Sequence, residues 1–154
     1  MDDFLFLGVL LEDRIKEKIP DTPVRQLADL SDIGQLALRG AMVCVAYAGE
    51  EIAPIDAAYP CEARVTQRWL TIVSVQTAAR VADGGRPRSK AGPLRSQVAD
   101  ALQGQVLRGD CQPLRRTTPP GPVMEDGFAH FPLCWETTFT VTGHGGNFYD
   151  NFYG

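Results

Sequence analysis

The sequence predicts an α+β fold: a single domain in which two main helices flank a mostly antiparallel mixed sheet of about four strands. Three observations carry this. Phe4, Leu7, Leu11, Ile15 and Ile19 recur at spacings of three and four, the period of one helical face. Residues 63–78 and 129–141 alternate instead with a period of two, the pattern of long strands. The chain has 154 residues, of which 44% are hydrophobic, enough to bury one core of ordinary size. The folded unit is expected to span residues 1–142, with residues 143–154 forming a flexible glycine and aromatic tail.

The first helix is expected to start from a cap at Asp2 or Asp3 and to stop at Pro20. Glu12, Asp13, Arg14, Lys16, Glu17 and Lys18 cover the rest of its surface, so one apolar stripe packs on a larger body. Between Asp21 and Gly40 the signals are mixed, with a short strand around Val24–Leu27 and a helical turn around Ser31–Leu38. Ala41–Tyr47 is short, apolar and closed by Ala48-Gly49, which reads as a buried central strand, and Glu50–Pro60 reads as a loop. In the long strand Ala63–Ala78, Arg64 and Arg68 share one side of the first half, while the second half is apolar on both sides. Asp83–Lys90, with Gly-Gly and Pro, reads as a flexible basic loop. Pro93 then opens the second helix, Leu94, Val98, Ala101 and Leu102 form its face, and Gly104 stops it. Pro113–Thr117 fits a short strand and Thr118–Gly127 a connection rich in Pro and Gly. In the last strand Ala129, Phe131, Leu133, Trp135, Thr137, Phe139 and Val141 share one face.

Net charge is −4, which argues against a nucleic-acid binder relying on bulk positive charge. The distribution is more informative than the sum, being net −7 over residues 1–62 and net +5 over residues 80–116. Cys44, Cys61, Cys111 and Cys134 lack any CxxC spacing and read as buried free thiols ahead of disulfides or zinc ligands. No apolar run approaches the roughly 20 residues of a membrane-spanning helix. Met1-Asp2-Asp3 lacks the basic flank of a secretory signal, so the chain is expected to stay in a cytoplasm. His130 and His144 have no nucleophile motif beside them, and no HExxH or clustered carboxylates supply a metal site. Gly84-Gly85 matches neither a Walker loop nor a dinucleotide fingerprint. Trp69 is in phase with Val65, Val73 and Val75, which places it in the core and turns Arg64 and Arg68 outward, rather than making a base-stacking surface. Weight therefore shifts from enzymes to binding and assembly proteins.

Several segments together carry a resemblance. They are the amphipathic N-terminal helix, Ala41-Met42-Val43-Cys44-Val45, and Gln67-Arg68-Trp69-Leu70-Thr71-Ile72-Val73. The helix end Ala101-Leu102-Gln103-Gly104, and Gly127-Phe128-Ala129-His130-Phe131-Pro132-Leu133 running into a long strand, complete the layout. From Phe4 to Val141 the chain resembles the tail terminator, or tail completion, proteins of long-tailed phages, particularly the Mu-like and lambda-like kinds. Gln105 stands where many relatives carry Trp. The resemblance implies a small sheet flanked by helices and a homo-hexameric ring seated on the last ring of tail tube protein. Such a ring ends tube polymerisation and offers a surface to head-tail connector proteins, with genomic DNA only passing through it. The resemblance also implies assembly in the bacterial host cytoplasm and residence in the virion tail, with no catalytic residues, no cofactor, no metal and no membrane. The alternatives are another minor tail or connector component or, from a different class, a small nucleotide-binding or hydrolytic enzyme.

A ring subunit needs two unlike, complementary surfaces. The segregated charges supply a pair, which makes Arg86, Arg88, Lys90, Arg115 and Arg116 candidate interface residues facing acidic groups of the next subunit. The tandem Asn-Phe-Tyr repeat makes Phe148, Tyr149, Phe152 and Tyr153 candidate docking residues, hinged at residues 143–146, with simple disorder of the tail as the alternative.

Overall fold

In the computed structural model, residues 5–28, 40–54, 61–76, 85–125 and 127–142 are described. The elements in chain order are α1 (Phe6–Lys18), β1 (Val24–Leu27), β2 (Met42–Pro54), β3 (Glu62–Gln76), α2 (Gly85–Leu102), β4 (Arg115–Thr117), β5 (Val123–Glu125) and β6 (Phe128–Thr142). Among the described residues the sheet has six strands where about four were expected, in the order β1-β2-β3-β6-β4, with β5 also paired to β6. Among these strands β1 runs parallel to its neighbour, and the other described pairings are antiparallel.

The two longest strands form the centre. β3 and β6 pair without interruption from Glu62↔Thr142 to Gln76↔Phe128. The side of β6 away from β3 is covered in turn by β5 at residues 128–130, β4 at residues 134–136 and an isolated bridge from Cys111 to Phe139. Both helices lie on one face. α1 reaches across the strands: the Phe6 ring meets Phe139 edge-on at 5.2 Å, Gly8 lies against Trp69, and the Gln26 amide donates to the Gly8 carbonyl at 2.7 Å and to Glu12 at 3.0 Å. α2 packs on β3, β6 and α1. Under them lies the main core, including Leu7, Leu11, Ile15, Val43, Trp69, Val98, Leu102, Leu133, Trp135 and Phe139. A second apolar cluster of Leu27, Met42, Cys44, Ala46, Leu70, Ile72 and Cys134 is buried on the opposite face. The two-sided apolar half of β3 thus serves both clusters, as its sequence implies.

Several expectations are corrected. The residue before α1 is Leu5, with no side-chain cap bond, and Asp2 and Asp3, expected to cap the helix, lie outside the described residues. Its surface is not covered by charge alone, since Leu5 and Val9 are exposed beside partly buried Phe6 and Leu10. β2 does not end at Ala48-Gly49. A bulge between Tyr47 and Gly49 absorbs one residue, Gly49 takes φ +110°, and residues 50–54 assigned to a loop continue the strand. α2 starts at Gly85, so residues 85–90 are helix and Pro93 lies inside it. Pro87 is accommodated because N–H groups in the first turn have no intrahelical acceptor. The segment 118–127 contains β5, joined to β6 by a two-residue connection in which Gly127 has φ +78°. Gly104, with φ +74°, ends α2 as expected. The helical turn expected at Ser31–Leu38 falls outside the described residues.

Candidate functional site

On the face away from the helices a row of alternating charges crosses the sheet. Arg68 of β3 stands directly opposite Glu136 of β6, which in turn stands opposite Arg115 of β4. Arg68 donates through Nε to Glu136 at 2.8 Å and through Nη2 to Glu51 of β2 at 3.0 Å, and Arg115 reaches the second Glu136 oxygen at 3.4 Å. Glu136 therefore sits between two guanidinium groups, and the flanking hydrogen bonds, chiefly that of Glu136, hold the Arg68 pKa above its ordinary range. The hydroxyls of Thr66 and Thr138 pair beside this row at 2.9 Å. The row sets opposite charges side by side across β2, β3, β6 and β4. Being largely exposed, it contributes little to stability.

Beneath the helices several buried polar groups satisfy one another. Trp69 Nε1 donates to Gln67 Oε1 at 3.0 Å, and the Gln67 amide and the Tyr47 hydroxyl both donate to Glu50 Oε1, at 3.4 and 2.6 Å. Burial, aided by the adjacent carboxylate, pushes the Tyr47 phenol up to about 12. Trp135 Nε1 donates to Thr71 Oγ1 at 2.9 Å. Glu50 and Glu51 are thus strand residues with partners rather than solvated loop acids. Between α1 and the end of α2, Arg14 donates to Gln105 Oε1 at 2.6 Å and to the Ala101 carbonyl, neutralising the negative end of that helix.

All four cysteines are free thiols. Cys44, Cys111 and Cys134 are buried, but Cys61, expected to be buried, is exposed at the start of β3. Burial pushes the Cys44 and Cys111 thiols up to about 11, away from the thiolate a nucleophile requires. Among the described residues no three His, Cys, Asp or Glu side chains gather as a metal site. No described helix is long and apolar enough to cross a membrane.

The expected interface residues fall in separate places. Arg115 and Arg116 are exposed on β4 at the sheet edge, while Arg86, Arg88 and Lys90 lie in the first turns of α2 rather than in a loop. Arg108, from the same basic stretch, is taken up within the subunit: its guanidinium stacks 3.6 Å over the Phe6 ring and Nη2 pairs with Asp110 at 2.6 Å. Phe148, Tyr149, Phe152 and Tyr153 lie outside the described residues. The sequence reading missed a stretch of β2 that, among the described residues, has no strand on its outer side. β1 covers β2 only through Leu27↔Ala46, and Ala48, Glu51, Ile52 and Ala53 beyond it are exposed. The run Glu50-Glu51-Ile52-Ala53 was too short and too charged to look like strand.

No curated protein matches the sequence. A family model described as phage tail terminator protein matches residues 1–145, a span that holds both helices and all six strands. That family consists of structural virion proteins, not enzymes, which act with other tail or head-tail components. On a match of this extent the chain belongs to the phage tail terminator protein family and is a structural component of a phage tail.

Proposed function

We propose that this chain assembles as a homo-hexameric ring on the last ring of the tail tube, ends tube polymerisation and provides the surface that joins head-tail connector proteins. The observation that carries the reading is the family match, which takes in every element of the fold. Genomic DNA meets the protein only in transit through the ring. Assembly in the host cytoplasm precedes incorporation into the virion. Basic residues of α2 and β4 (Arg86, Arg88, Lys90, Arg115 and Arg116) face acidic groups of the neighbouring subunit, and Phe148, Tyr149, Phe152 and Tyr153 dock on a neighbour or tail partner. Electron microscopy of the protein mixed with purified tail tubes tests this. An annular density at one tube end and arrested elongation are expected. Tubes that elongate at an unchanged rate, with bare ends, would overturn the capping role.

A further inference from the structure

The two edges of the sheet are open in different ways. Val43 donates its N–H to the Pro23 carbonyl, so Val43, Val45 and Tyr47 turn their main-chain groups toward β1 and away from β3. The bulge shifts the phase by one residue, after which Glu50 and Ile52 turn theirs outward, and neither has a main-chain partner on that side among the described residues. Pro54, next in phase, has no N–H to offer. At the other edge, Leu114 has both main-chain groups occupied, by Gln105 and Gly104, so Arg116 is the next residue with outward groups. The two openings flank one row, Gly49, Arg68, Glu136 and Arg115 across β2, β3, β6 and β4: Arg116 stands next to it on one side, level with Trp135 and Trp69, and Glu50 and Ile52 stand on the other, level with Gln67 and Val65.

An open edge is a template for another chain, and soluble proteins commonly blunt one with Lys or Pro. Here the bulge at one end and Pro54 at the other bound the opening to the outward groups of Glu50 and Ile52, no Lys or Pro stands between them, and Ile52 is 61% exposed. The charges of the two edges are opposite, Glu50 and Glu51 against the exposed Arg115 and Arg116. We infer that the β2 edge at residues 48–53 pairs, main chain to main chain, with the β4 edge at Arg116 of a second copy, so that the sheet continues from subunit to subunit. This contact rests on the ring reading and gives it the two unlike surfaces that head-to-tail closure requires.

Ile52→Pro in the full-length chain removes one outward donor and no bond to β3, and Ile52→Thr keeps the donor while removing the apolar side chain. Ring formation on purified tail tubes is measured by sedimentation and electron microscopy, with thermal unfolding as the check on the monomer. Ile52→Thr is expected to assemble as the parent does, and Ile52→Pro to assemble about tenfold less well or worse. In case Ile52→Pro misfolds, a Cys61→Ser chain carrying Ile52→Cys and Arg116→Cys supplies a second measurement. Residues paired across strands approach closely enough for a disulfide, so mild oxidation should give a ladder of covalent multimers only under assembling conditions. Rings that form normally with Ile52→Pro, or that yield no ladder, overturn the edge contact and leave the ring standing. The same holds if deleting residues 143–154 abolishes rings that Ile52→Pro leaves intact, since the tail then occupies the interface. Failure of the parent chain to form rings at all overturns both readings.

Discussion

His130 lies on the face of the sheet away from the helices, 1% exposed, with Nδ1 2.7 Å from Ser74 Oγ of the paired strand. Burial holds its imidazole below the ordinary histidine range, against a weaker upward pull from Glu125 on β5. The sign of the linkage follows directly. Between the folded and unfolded pKa values the unfolded chain binds a proton that the folded chain refuses, so unfolding gains ground there. Stability from this site is complete above an unfolded pKa of about 6.5, is lost as pH falls toward the folded value, and changes no further below it. Urea midpoints measured from about pH 7.5 to about pH 5 should fall for the parent chain, with a shallower slope for His130→Gln. Equal slopes would remove His130 as the cause. The position of His130 on a strand face was legible from alternation; its burial was not. That depends on the second apolar cluster, which gathers Leu27, Met42 and Cys44 from distant parts of the chain.

Among the elements, α1 is set by how closely it approaches the sheet. A Cβ on Gly8 would come within 2.8 Å of two indole carbons of Trp69 and 3.1 Å of the Gln26 amide oxygen. Replacing a helical Gly by Ala gains about 1 kcal/mol in propensity. Forcing a methyl against a packed, two-torsion indole costs about 1–3 kcal/mol, so the clash outweighs the gain. Gly8→Ala is therefore expected to destabilise the protein by up to about 2 kcal/mol in denaturant unfolding; a stabilised variant would mean that α1 stands further off the sheet. Other elements were legible to differing degrees. β6 was clear because alternation over residues 129–141 leaves no helical reading. β5 was missed because three residues carry no period, although Asp126-Gly127 is the dipeptide that two-residue hairpins favour. The β2 extension and the α2 start were missed for a common reason. Gly49, Gly85 and Pro87 were taken as breakers, whereas a bulge and a first helical turn are the places where such residues do no harm.

At the scale of the molecule, charge is segregated along the chain, net −7 over residues 1–62 and net +5 over residues 80–116. If subunits meet through these segments, charge mainly guides orientation and speeds encounter, and apolar packing supplies most of the affinity. Screening sharpens from about 10 Å at 0.1 M salt to about 3 Å at 1 M. Ring assembly on tail tubes, followed by light scattering, is expected to slow severalfold over that range and to slow likewise when Arg86, Arg88 and Lys90 are all replaced by Glu. A rate indifferent to both changes would leave these charges serving solubility alone. The architecture and family were legible because helix and strand periods appear in a recognisable order; the proposed edge contact was not, because it depends on which main-chain groups remain unpaired after folding. The uninterrupted pairing of β3 with β6 also fixes a timetable. β3 is finished at Gln76, whereas β6 begins only at Phe128, so ribosomes adding about 5–20 residues per second leave the central strand with one bare side for roughly 3–10 s. Through that interval the nascent chain holds a strand destined for the core beside an empty place, and the distance between its two longest strands sets how long the host's folding machinery must keep that place clear.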